Sequence, residues 1–350
     1  MHGLERPRPV SAVVVEAMNS AQEWTALEPD GTRPSTELAI RDDSTVVGYG
    51  PDGVSSRVTG TTKALGHLLR RTIAPLDISA CSELRLSLRS NRRAGTGGGP
   101  FFLELSLGSA GSPLTDPGNT WHRLLPVRAP HRWETVRMAI DDLDTAVSGA
   151  LTQIQLRCVD ATAPLTAHLD DMVAVRPQLL ADTDHALLVR LSGITVGTGP
   201  VGVAIRAAGQ PLPDAPALDV VHFDTQFAAE RALDGQRVVA HTDGGARLAD
   251  YGDPFDLDYA ISPVAQDRAD QAALIEAVLD RLAPLDELAV NGERLPVELV
   301  RLAGTDRIGG APEEVPVLVF RVGARRAATG GGPVQVVSDV RIEPHQWEAL

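Results

Sequence analysis

At 350 residues, with 43% hydrophobic and 22% charged residues, the chain is long enough for about two globular domains and is neither disordered nor fibrous in composition. A net charge of −14 and only 4% aromatic residues argue against non-specific nucleic-acid binding and against an aromatic platform for bases. The acidity is uneven: residues 1–177 carry −2 and residues 178–350 carry −12.

The chain opens with VSAVVVEAM (Val10–Met18), a short apolar run interrupted by Glu16 and followed by no small-residue cleavage site, so a signal peptide is not expected. No run approaches the ~18 apolar residues of a membrane span, and no membrane insertion is expected. The next segments alternate with period two. SELRLSLRS (Ser82–Ser90) sets Leu84, Leu86 and Leu88 against Glu83, Arg85, Ser87 and Arg89, and FFLELSLG (Phe101–Gly108) repeats the pattern. The Gly-rich NRRAGTGGGP between them predicts a hairpin. GTGGGP (Gly95–Pro100) is not a phosphate loop, because no GK[ST] follows and a strand comes next. RWETVRMAI (Arg132–Ile140), LTQIQLRCV (Leu151–Val159) and LDDMVAVRP (Leu169–Pro177) complete a strand-rich half, which predicts an all-β sandwich over residues 1–177.

The character changes after Pro177 and the acidic ADTDH. ALLVRLSGI (Ala186–Ile194) reads as a strand or a short helix. FDLDYAISPVAQD (Phe255–Asp267) reads as a strand with Leu257, Tyr259 and Ile261 on one face. RADQAALIEAVLDRL (Arg268–Leu282) is the clearest helix: Leu274, Val278 and Leu282 recur at i, i+4, i+8, Asp267 is placed to cap it, and Pro284 stops it. Asn291-Gly292 predicts a hairpin, and VPVLVFRVG (Val315–Gly323) and VQVVSDVRIEP (Val334–Pro344) predict strands. Residues 178–350 therefore read as an α+β domain, one long helix on a mostly antiparallel sheet.

Chemistry is sparse. HExxH, CxxC, GxSxG and Walker patterns do not occur, and no two histidines stand at metal-ligand spacing, so neither an enzyme nor a cofactor is expected. His185, His222 and His241 are the one histidine set within a half that could converge. Asp224, Asp250, Asp253 and His241 are candidates for a hydrolase without motif support. Asp141, Asp142 and Asp144 match no EF-hand loop and read as a solvated turn. Cys81 and Cys158 read as two buried thiols in strands, with a single bridge across the sandwich as the alternative. In a strand the neighbours Asp170 and Asp171 point to opposite faces, which makes them a structural acid rather than a catalytic dyad. An inward carboxylate there would hydrogen-bond amides of a neighbouring loop or help to hold a structural calcium.

LDISACSELRLSLRS, TWHRLLPV, RWETVRMAIDDL, LTQIQLRC and AHLDDMVAV together resemble the carbohydrate-binding-module type of galactose-binding-like β-sandwich, over roughly residues 10–177. The resemblance implies a jelly-roll-like sandwich and glycan contact through exposed aromatics. Trp24 and Trp121 are the candidates, because the family pattern buries the position of Trp133. PFDLDYAISPVAQDRADQAALIEAVLDRL followed by LAVNGERLPVELV resembles small α+β tail-terminator, cap, neck or baseplate proteins of contractile phage tails and phage-like injection systems, although ALLVRLSGI is shorter than the long first helix of that fold. This resemblance implies a structural or adaptor subunit that forms a homo-oligomer with protein partners. VVHFD and VQVVSDVRI would supply strands for pairing between subunits. The leading expectation is such an assembly component, cytoplasmic or carried in a virion or injection particle; the alternative is a carbohydrate-binding protein.

Overall fold

The computed structural model describes residues 10–48, 53–93, 101–197, 199–207, 210–233, 236–242, 245–283, 285–290, 293–303, 316–326 and 336–337. It is mostly β-strand in several antiparallel sheets, with few helices. Among the described residues no helix is long and apolar enough to cross a membrane.

Among the described residues the first half holds eleven strands: β1 (Val13–Glu16), β2 (Thr25–Leu27), β3 (Leu38–Asp43), β4 (Ser55–Gly60), β5 (Leu68–Leu76), β6 (Glu83–Ser90), β7 (Leu103–Ser109), β8 (His122–Leu124), β9 (Glu134–Ala139), β10 (Leu151–Cys158) and β11 (Leu165–Val175). One sheet runs β3-β4-β11-β6-β9, with β1 also on β11; the other runs β2-β5-β10-β7-β8. The alternation read from the sequence assigns the faces. Leu84, Leu86, Leu88, Val136 and Met138 of the first sheet meet Leu105, Leu107, Ile154 and Leu156 of the second in one buried cluster. Burying such side chains stabilises by about 1.5–3 kcal/mol each, and this makes the two sheets a β-sandwich. The expected hairpin between β6 and β7 does not form. β6 pairs with β9 and β11, whereas β7 pairs with β8 and β10. Both strands present one apolar face, so alternation alone is satisfied equally by pairing or by stacking. The Gly-rich GTGGGP segment lies outside the described residues.

In the second half, helix α1 having been a single turn at Thr145–Ser148, α2 (Leu179–Leu191) leads into β12 (Thr195–Val196), β13 (Gly199–Pro200), β14 (Gly202–Ile205) and β15 (Ala217–Phe227). Then come β16 (Gln236–Thr242), β17 (Gly245–Asp250), β18 (Pro254–Val264), α3 (Arg268–Arg281), β19 (Leu285–Val290), β20 (Glu293–Ala303), β21 (Val317–Arg325) and β22 (Val336–Val337). Six strands order as β14-β15-β18-β21-β20-β19, antiparallel apart from the parallel pair β14–β15. Leu274 and Val278 of α3 and Leu187 and Leu191 of α2 join Leu257, Tyr259 and Ile261 in a second buried cluster. Asp267 accepts the Asp270 N–H at 2.9 Å and caps α3.

Two helices stand where one was expected. ADTDH and the Ala186–Leu191 part of ALLVRLSGI belong to α2, where the Asp182 carboxylate reaches back to accept the N–H of the N-cap residue Gln178 at 2.7 Å. The polar Asp182–His185 within it reads locally as a linker. β19 and β20 form the predicted hairpin, Val290 opposite Glu293, with the Asn-Gly turn itself outside the described residues. Of VQVVSDVRIEP only Val336 and Val337 are described, as β22 against β17. VVHFD is not an edge throughout, since β14 pairs with Ala217–Val220; beyond Val220 that side of β15 has no strand partner among the described residues.

Candidate functional site

The sandwich presents two outer faces, and the residues expected to carry sugar contact lie on neither. Trp24 and Trp121 are 6% and 8% exposed and belong to the core cluster. The Trp121 indole N–H donates to Asp142 at 3.1 Å and the Arg123 guanidinium covers its ring at 4.5 Å. An indole whose faces are packed cannot stack on a pyranose ring, so both rings are structural. Trp133, expected to be buried, is half-buried on the outer face of the first sheet instead. Gly48 backs it so closely that a Cβ there would lie 2.6 Å from the ring.

Asp170 is 1% exposed. It lies on the outer face, opposite Ser87, and accepts the Gly48 N–H at 3.1 Å. Asp171 has φ +47° and sits in a β-bulge between Asp170 and Met172. The bulge breaks the strict alternation that assigned these two carboxylates to opposite faces, and lets Leu169 and Met172 both enter the core. Neither residue approaches a calcium cage. Among the described residues no three His, Cys, Asp or Glu side chains are arranged to hold a metal. The nearby buried acid of β1, Glu16, is taken by Arg71 at 2.6 Å. The donors present do not fit calcium, which takes six to eight oxygens.

The remaining candidates do not converge. His222 Nε2 lies 2.9 Å from the Thr225 hydroxyl and its ring packs 5.3 Å from Tyr259, whereas His241 packs 5.0 Å from Phe101 of the first half. Asp224 accepts the Thr225 N–H and the Gln226 side-chain amide. Asp144 caps the short α1 through the Ala146 N–H. Asp141 and Asp142 stand in an exposed turn, as expected, and in addition pair with Arg247 of β17, at 3.3 and 2.6 Å, which ties the sandwich to the second half. A cavity of about 400 Å³ lies at this junction, lined by Trp121, His122, Arg123, Asp142, Thr242 and Arg247. Cys81 and Cys158 are free thiols, both pushed up by burial.

What strand pairing does assemble is a polar row across the second sheet. Thr25, Arg70, Gln155, Ser106 and His122 stand opposite one another on β2, β5, β10, β7 and β8. Arg70 donates through Nε and Nη2 to the Gln155 carbonyl oxygen at 3.2 and 2.8 Å, which leaves the planar amide fixed with its NH₂ available. One row along, Arg157 pairs with Glu104 at 2.8 Å. The Gly31 turn closes one side of the face against Arg70, and the Leu114 loop closes the other, its N–H on Gln153 at 3.0 Å. These residues come from strands far apart in the chain, so no local motif announces them.

No family model matches the chain, and no curated protein matches it. Among solved structures, the family 11 carbohydrate-binding module of Clostridium thermocellum, in complex with a β-1,3-1,4-mixed-linked tetrasaccharide, is 11% identical, covering 48% of this chain and 97% of that one at a TM-score of 0.33. A family 30 carbohydrate-binding module is 11% identical over 50% of this chain and 88% of that one, at 0.30. An exo-β-agarase is 10% identical over 50% of this chain and 24% of that one, at 0.29. Likenesses this low assign neither a family nor a ligand.

Proposed function

We propose that the chain is a non-enzymatic glycan-binding protein whose sandwich is the recognition module. The observation that carries this reading is the Arg70–Gln155 pair at the centre of a polar row flanked by two loops. Planar amides and guanidinium groups held in place before binding are what sugar hydroxyls require, because they act as donors and acceptors without an ordering penalty. The reading needs no cofactor and no metal. It replaces the stacking expected of Trp24 and Trp121 with hydrogen bonding from a sheet face.

The test is a glycan array with the full chain, followed by calorimetry on the strongest neutral ligand. Gln155→Ala and Arg70→Ala each remove hydrogen bonds worth about 1–1.5 kcal/mol, so affinity falls about tenfold per variant, while loss of the Arg70–Gln155 contact lowers fold stability by no more than about 1.5 kcal/mol. An array without neutral-glycan binders, or variants that bind as the parent does, refutes it.

A second reading is favoured by a separate observation. Phe223, Phe227, Leu233, Val238 and Tyr251 are exposed on the outer part of β15 and on the segments that follow it. An unpaired strand side next to exposed apolar residues suits docking in a larger assembly of the phage-tail-like kind. Light scattering with negative-stain images tests this: rings or defined oligomers support it, and a monomer that binds no sheath, tube or baseplate protein rejects it.

A further inference from the structure

The first sheet of the sandwich carries a different row on its outer face. Arg41 of β3 stands opposite Arg57 of β4, Arg57 opposite His168 of β11, and His168 opposite Arg89 of β6. Continuing the β6–β9 register places Trp133 opposite Arg89, and the indole packs edge-on to His168 with ring centroids 6.4 Å apart. Neighbouring strands lie about 4.8 Å apart, so the three arginines and the histidine between them span about 14 Å perpendicular to the strands. Their flanking residues Val58, Leu88 and Leu169 point into the core, which fixes the row on the outside.

Like charges directly opposite one another destabilise a sheet unless they are neutralised. Only His168 has an acidic partner here, Asp43 at 3.2 Å. Arg89 donates its Nε to the His131 carbonyl, which orients the guanidinium without neutralising it. Arg41 and Arg57 are exposed and, among the described residues, form no ion pair. Several other arginines of the sandwich are matched by acids, Arg71 by Glu16 and Glu23, Arg85 by Glu83, Arg92 by Asp160 and Arg157 by Glu104, whereas Arg70 is held by the Gln155 amide. Among the described residues these three guanidinium groups in line have no acidic partner, which leaves room for anions to be supplied from outside.

We propose that this face binds an acidic polysaccharide, its carboxylates or sulfates lying along Arg41, Arg57 and Arg89. Guanidinium groups accept both kinds of anion in forked geometry. The net charge of −14 disfavours a dense phosphate polymer, because the rest of the chain repels it. A sparsely charged sugar chain meets the row without that penalty. The ligand's class rests on the reading of the sandwich as glycan-binding, but the surface does not share a residue with the Arg70–Gln155 face.

The experiment is calorimetry and affinity electrophoresis of the full chain with polygalacturonate, chondroitin sulfate, neutral dextran and duplex DNA. The expected result is retention by one or both acidic polysaccharides, weakening as salt rises, and no retention by dextran or DNA. Arg41→Ala with Arg57→Ala should lower that affinity about tenfold or more, since two charge-assisted contacts are lost. Both side chains are exposed, so the melting curve should stay that of the parent. Gln155→Ala should leave acidic binding unchanged, which separates this surface from the neutral-glycan face. Binding unaltered in the double arginine variant, no binding to either acidic polymer, or stronger binding to DNA overturns the proposal.

Discussion

Asp142 is the joint between the sandwich and the hairpin of β16 and β17, and its removal should loosen both. One oxygen accepts from the Trp121 indole at 3.1 Å and from Arg123; the other pairs with Arg247 at 2.6 Å. Arg123 and Arg247 expose only 3% and 10% of their side chains. Breaking a buried pair by deleting one partner costs about 3–5 kcal/mol, because the surviving charge stays in low dielectric. Three facts reduce that here. The Asp142 side chain is 39% exposed, Arg247 keeps Asp141 at 3.3 Å, and Arg123 keeps the carbonyls of Ala139 and His122. Asp142→Ala should therefore destabilise by about 2–3 kcal/mol, and Asp142→Asn by about half as much because an acceptor for Trp121 remains. Denaturant unfolding of the parent, Asp142→Ala, Arg247→Ala and the double variant forms a cycle, and its coupling energy should be about 1–2 kcal/mol. Burial alone would push the Asp142 carboxyl up, but the hydrogen bond and charge of Arg123 and the charge of Arg247 outweigh it and hold it below the ordinary range. Its contribution is thus present above the usual carboxylate pKa and lost as pH falls toward the depressed folded value. A loss under about 0.5 kcal/mol, or zero coupling between Asp142 and Arg247, would refute this account of the joint.

Burial, together with the charges of Arg89 and Arg57, holds the His168 imidazole below its ordinary pKa despite Asp43. The neutral ring stabilises the fold above that ordinary value, and stability declines as pH falls through it, so His168→Gln should flatten the unfolding free energy between about pH 7 and 5. A parent stability that rises over the same interval would contradict the assignment. Tyr259 is fully buried and donates its hydroxyl to Asp184 at 2.7 Å. Burial raises the Asp184 carboxyl and this hydrogen bond opposes the rise. Tyr259→Phe should therefore cost about 1–2 kcal/mol and move the Asp184 carbon resonance titration upward; an unmoved titration rejects the coupling.

Much of this molecule was legible from local pattern, and the limits of pattern are equally physical. Period two in SELRLSLRS and RWETVRMAI assigned Leu84, Leu86, Val136 and Met138 to the core, because a strand has only two faces and one must leave water. Spacing at i and i+4 with an aspartate cap placed α3, because capping and packing there act within one turn. Pairing partners were not legible. β6 and β7 are adjacent in sequence and lie in different sheets, since nothing in alternation distinguishes a neighbour beside a strand from one stacked on it. α2 was legible only in its second half, where ALLVRLSGI reads as a strand or a short helix; its start follows Pro177 directly, and the Asp182 carboxylate that accepts the Gln178 N–H there also accepts the N–H of Val10 from the far end of the chain. Exposure of Trp24 and Trp121 was misjudged for the same reason: an aromatic near a turn reads alike whether a loop covers it or water does.

The two candidate faces share a property that decides how such sites can be found at all. Each is a row running across strands, so its members are separated in sequence by whole hairpins and whole crossovers. Arg41, Arg57 and Arg89 have nothing in common locally except that each follows or precedes a core residue, Ile40, Val58 and Leu88. Their alignment is fixed only when β4 and β6 settle on opposite sides of β11, with His168 between them. A slip of one residue in either pairing would turn an arginine inward and a core leucine or valine outward, at a cost of several buried side chains. The hydrophobic pattern therefore enforces the cationic row indirectly: burying Val58, Leu88 and Leu169 together leaves the three basic positions and the histidine no alternative to standing in line. Removing charge from the row should leave the sheet intact, whereas removing a core residue behind it, as in Leu169→Ala, should dissolve both the sheet and the row.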